Sequence, residues 1–96
     1  MSPKKRKKLE ILRKKLDKLD DSFIFLIKKR TSLVKEVLKL KKYKSQIIDK
    51  KRIIQILARI KKKSIKNKID IKITKRIWKN MIWSYIDFEK RNFKKK

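Results

Sequence analysis

The chain has 96 residues, enough for one domain with a modest core. It contains neither cysteine nor histidine, which excludes disulfides, thiolate or imidazole metal sites, and the usual general base near neutral pH. Its 35 Lys and Arg against 9 Asp and Glu give a net charge of +26, a field that gathers anions from small dianions to polyphosphates.

That charge invites a nucleic-acid reading, but lysine supplies most of it, isoleucine leads the apolar set and glycine is absent. An A/T-rich genome pushes composition that way through its codons, and lysines on solvated helix faces need no partner. Nucleic acid is therefore not the expected partner. The longest uninterrupted apolar run, Phe23 to Ile27, is too short to span a bilayer or to form a signal-peptide core. A cytoplasmic protein with no membrane partner is expected.

Residues 1–8, MSPKKRKK, read as a frayed basic arm ahead of a helical domain over residues 9–96. Within that domain Leu9, Leu12, Leu16, Leu19, Phe23, Leu26, Arg30, Leu33, Val37 and Leu40 are spaced alternately three and four apart, a heptad seam. A helix from Leu9 to Lys42 would be roughly 50 Å long at about 1.5 Å per residue. A globule of this chain length is only about 30–35 Å across, so the seam calls for a second copy of the chain.

Tyr43 to Ile48 reads as a short loop, and Asp49 caps a second helix that carries Ile53, Ile56, Leu57 and Ile60. Lys61 to Lys68 reads as a polar connection, with Asp70 or Thr74 as the cap of a third helix. That helix places Ile73, Ile77, Met81, Ser84 and Phe88 on one stripe, and Trp78, Ile82, Tyr85 and Glu89 beside it. Strand-like alternation fails beyond Ile69–Ile73. The predicted fold is all-α: three helices, long, short and medium, in an intertwined homodimer.

Arg30 occupies a core position of the seam, between Leu26 and Leu33. A guanidinium there needs an anion, and a bound ligand is favoured over an ion pair because Asp17, Asp20, Asp21 and Glu36 share its helix and point elsewhere. Lys41 follows eleven residues on, along nearly the same face, and Arg13 lies beside the seam nearer the start. Glu89 admits two readings by periodicity: a carboxyl group in the wall of a cationic pocket, or an exposed helix-end residue paired with Lys90 or Arg91. No nucleophile–base arrangement, Gly-rich phosphate loop or metal-ligand spacing occurs. An enzyme with this inventory works by positioning and electrostatics.

LRKKLDKLD from Leu12, RTSLVKEV from Arg30, Lys41, DKKR from Asp49 and RIWKNMI from Arg76 together resemble the all-helical class of chorismate mutases, in order from Leu9 to Glu89. The resemblance implies a cofactor-free and metal-free rearrangement of chorismate to prephenate, a step toward phenylalanine and tyrosine. It also implies a dimer whose two sites are each completed by an arginine from the other subunit. By the same resemblance Arg13 is that crossing arginine, and Arg30 binds a substrate carboxylate from within the subunit. Lys41 contacts a carboxylate and the ether oxygen being cleaved, and Asp49 and Arg52 border the pocket. Glu89 falls where many members have a glutamine that donates to the ether oxygen, and some a glutamate. Ile53 stands where many members have a glutamate that holds the substrate hydroxyl. Tyr85 replaces a smaller polar residue, and the loop before Asp49 is one residue shorter. An isochorismate-pyruvate lyase of the same fold is the alternative that Ile53 raises; a basic nucleic-acid-binding helical protein is the alternative that the charge raises.

Overall fold

Ser2 and Pro3 decide where the first helix starts. The Ser2 hydroxyl accepts from the Lys5 N–H at 3.3 Å, and Pro3 sits where a missing N–H is harmless and φ is already helical. In the computed structural model, which describes residues 1–94, helix α1 accordingly runs Pro3–Leu40. The expected frayed arm is thus helical from Pro3, six residues before the predicted start. Local capping outweighs the unfavourable placement of five consecutive cations, Lys4 to Lys8, at the positive end of the helix dipole.

The chain divides into two units, Met1–Leu33 and Val34 onward. The first consists of α1 alone. Its predicted seam lies on the surface, with Leu12, Leu16, Leu19, Phe23, Leu26 and Leu33 between 48% and 67% exposed. The hydroxyls of Ser22, Thr31 and Ser32 donate back to the carbonyls of Lys18, Ile27 and Lys28, the usual way such side chains are satisfied mid-helix. Phe25, off the seam, is capped by the Lys29 ammonium 4.7 Å from its ring centre.

The second unit holds the core. The last turns of α1 lead into a 3₁₀ turn, Lys44–Gln46, then α2, Lys50–Lys66, and α3, Ile71–Asn92. No strand occurs among the described residues. Leu38, Ile47, Ile56, Ile60, Ile82 and Ile86 are each 9% exposed or less and form one cluster, rimmed by Ile48, Ile53, Leu57, Trp78 and Phe93. Each such aliphatic side chain contributes about 1.5–3 kcal/mol on burial. Leu38 is off the heptad seam. It faces this unit's own core, whereas seam neighbours Val37 and Leu40 are exposed.

The end of α2 also lies beyond its predicted position. The polar connection expected over Lys61–Lys68 is helical through Lys66, because Ser64 continues the inward stripe of Ile53, Ile56, Leu57 and Ile60. Ser64 is 2% exposed; its hydroxyl donates to the Ile60 carbonyl at 2.7 Å and shares a 2.7 Å hydrogen bond with the Thr74 hydroxyl. Thr74 therefore ties α3 to α2, and Asp70 is the cap of α3, accepting from the Lys72 N–H. The α2 end is closed by Ile69 N–H on the Ser64 carbonyl and Lys68 N–H on the Ile65 carbonyl. That Schellman pattern holds Lys68 at φ 55°, a position glycine usually takes; this chain has none.

Of the two neighbouring stripes read on α3, the structure buries the second. Ile73 and Ile77 are about half exposed, while Ile82, Ile86 and Glu89 are buried and Trp78 and Tyr85 half-buried. The helix is apolar around more than half its circumference, so periodicity offers two stripes, and α2 takes the second.

Candidate active site

Lys41 follows the last residue of α1, held by its own N–H on the Leu38 carbonyl at 3.1 Å. The turn beyond it is fixed by Gln46, whose side-chain oxygen accepts from the N–H groups of both Lys42 and Tyr43 at 2.7 Å. Ile47, at 3% exposed, anchors that turn in the core. The Lys41 side chain is thus presented from a defined base rather than from a free loop.

Glu89 comes from the last turns of α3, 48 residues away. The Lys41 ammonium donates to both carboxylate oxygens, at 3.1 Å and 3.3 Å. The side chains are 19% and 8% exposed, so this is a largely desolvated ion pair. Of the two sequence readings of Glu89, the buried one holds: its partner is Lys41, not Lys90 or Arg91. Breaking a buried pair by removing one partner is costly because it strands a charge. A carboxylate near a helix C-terminus is itself unfavourable, so Glu89 depends on the cation facing it.

Tyr85 lies one turn before Glu89, half-buried, its ring edge-on to Phe88 at 6.5 Å between centroids. Asp49 caps α2, its carboxylate accepting from the Arg52 N–H at 3.0 Å, and both residues are exposed. Ile53 is half-buried on the core rim. Arg13 and Arg30 belong to the first unit, where Arg13 is exposed and Arg30 half-buried. Within the second unit, then, Lys41 and Glu89 are brought together directly. The cleft of about 280 Å³ between α2 and α3, lined by Leu57, Ala58, Ile60, Lys61, Ile71, Thr74 and Lys75, includes neither.

Sequence reasoning missed Gln46, because a glutamine inside a predicted loop carries no periodic signal. It also missed the Ser64–Thr74 link, although Ser64 extends the Ile53–Ile60 stripe and that register was readable.

The family model for chorismate mutase type II matches residues 12–90, more than four-fifths of the chain, and the chain belongs to that family. Neither a curated protein nor a solved structure matches it. Among the described residues, no helix is long and apolar enough to cross a membrane.

Proposed function

We propose that this chain is a chorismate mutase that rearranges chorismate to prephenate as a homodimer, without metal, cofactor or covalent intermediate. The observation that carries the reading is the desolvated Lys41–Glu89 pair, at the two positions where family resemblance calls for donors to the breaking ether oxygen. Chorismate is a dianion, and its rearrangement needs a compact diaxial conformer with negative charge growing on that oxygen. Arg30, and Arg13 crossing from the partner subunit, clamp the carboxylates in the reactive shape; Asp49, Arg52 and Tyr85 border the substrate.

Lys41 is paired with Glu89. Turnover requires the ammonium to turn to the substrate and Glu89 to take up a proton, because an ether oxygen only accepts hydrogen bonds. Both groups then stabilise charge that exists only at the transition state. The dimer is supported by the surface seam of the first unit. That unit has no second element to bury its leucines, and an isolated helix gains little from propensity alone.

The test is to incubate the purified protein with chorismate and, separately, with isochorismate, chelator present, and to identify products by mass. Prephenate from chorismate is expected. Pyruvate released more efficiently from isochorismate would move the assignment to the lyase of the same fold, and no turnover of either would remove the enzymatic reading.

A further inference from the structure

The mutase reading uses Lys41 and Glu89 and leaves a second charged feature of the same unit unabsorbed. Between Lys50 and Ile86 the only acidic residue is Asp70, and its carboxylate already caps α3 through the Lys72 N–H. The cations of this stretch therefore far outnumber their acidic neighbours, Asp49 and the exposed Asp87 lying just beyond its two ends. The ion pairs Lys39–Glu36 and Lys41–Glu89 both lie outside it.

On α3 these cations are in register. Lys72, Lys75, Arg76 and Lys79 recur at helical spacing on one side of the helix and are all exposed. With Asn80 they line a shallow cleft of about 350 Å³. Eleven residues after Lys72, three turns along the same side, comes Trp83, 51% exposed. The row is thus about 16 Å long at 1.5 Å per residue and ends in an accessible indole. Trp78, by contrast, is turned to the core rim.

We propose that this row is a binding surface for single-stranded nucleic acid, the four cations tracking phosphates and Trp83 stacking on a base. The proposal does not rest on the mutase reading. Like charges along one helix face repel, and a phosphate backbone relieves that repulsion while releasing counterions. The indole selects among polyanions: single strands offer an unstacked base beside each phosphate of the track, which is the pairing of groups such surfaces use. A duplex keeps its base faces within its own stack, and polyphosphate and lipid headgroups have none to offer. Lysine-rich contacts of this kind imply little sequence preference.

The experiment follows anisotropy of a labelled oligothymidylate of about twenty nucleotides on the full chain across a salt series, with circular dichroism checking each variant's helicity. Replacing Lys72, Arg76 and Lys79 together by Gln is expected to weaken binding at least ~tenfold near 0.1 M salt. The same replacement flattens the log–log salt slope by about 2, at about 0.7 for each phosphate no longer neutralised. A control triple, Lys61→Gln, Lys62→Gln and Lys66→Gln on α2, removes the same charge and is expected to lose much less. Trp83→Leu is expected to lose about tenfold with the slope unchanged, and Trp83→Phe to recover part of it. Equal losses in the two triple variants would overturn the site in favour of diffuse attraction. A Trp83→Leu protein that binds like the parent, or tighter binding to vesicles containing phosphatidylserine than to the oligonucleotide, would overturn the nucleic-acid assignment.

Discussion

Glu89 and Lys41 show how little a residue's own neighbours in sequence say about its partner. Glu89 is followed by Lys90 and Arg91, yet its carboxylate sits against an ammonium 48 positions away. The helix turns both following cations outward, where they are exposed. If Glu89 donates to the ether oxygen, Glu89→Gln, whose amide N–H donates without first taking up a proton, is expected to keep or raise kcat, and Glu89→Ala to lower it at least ~tenfold. Steady-state kinetics of both variants with chorismate checks this; a kcat for Glu89→Ala equal to that of the parent would take Glu89 out of the chemistry. Glu89→Ala strands the Lys41 charge against the core and is expected to cost about 1–3 kcal/mol more than Glu89→Gln in urea denaturation. Ile53 presents the opposite balance. Ile53→Glu puts a carboxyl group on an apolar rim, at an expected cost of about 1–2 kcal/mol in stability, but leaves KM for chorismate unchanged or lower if the family's hydroxyl contact is restored. A large rise in KM would mean that Ile53 itself packs on the substrate.

At the scale of elements, boundaries follow capping and burial more than composition. Asp49 starts α2 as expected, and of the two candidates for the α3 cap, Asp70 and Thr74, the structure uses Asp70, because an aspartate ahead of a helical stripe satisfies N–H groups that the helix leaves open. The lysine-rich end of α2 has the composition of a linker and is helix, because one small hydroxyl inside it has a partner on α3. Ser64→Ala leaves the Thr74 hydroxyl with only its weak 3.4 Å contact to the Ile71 carbonyl. It is expected to cost about 1 kcal/mol. Ser64→Val also overfills a site that is 2% exposed and costs more. Thermal melts of both variants check the order. Equal stability would mean that the bond between the hydroxyls carries no net energy.

For the whole molecule, the first unit is the consequential piece. Its leucine seam is laid out along a helix with no second element in that unit, and each leucine that a second copy covers contributes about 1.5–3 kcal/mol. Sedimentation is therefore expected to give a dimer, and Leu16→Lys with Leu19→Lys to give a monomer with reduced helicity and no turnover. Arg13→Ala and Arg30→Ala are each expected to be nearly inactive as homodimers. Co-expressed, they restore both arginines to one of two sites, so a verified mixed dimer should regain a substantial share of parental activity per dimer. No recovery would remove the crossing role of Arg13.

The sequence by itself determined the all-helical fold, the heptad face of α1, the Asp49 cap and the family resemblance, because each rests on local spacing along the chain. Arg13, Arg30 and Lys41 were legible as candidates on the same ground, as charges at marked positions of a periodic helix. Which of two apolar stripes α3 turns inward, where α2 ends, and that Glu89 faces Lys41 were decided only in the tertiary structure. Those choices depend on which surface of a neighbouring helix is on offer. A helix that is apolar around more than half its circumference holds no record of that surface in its own residues.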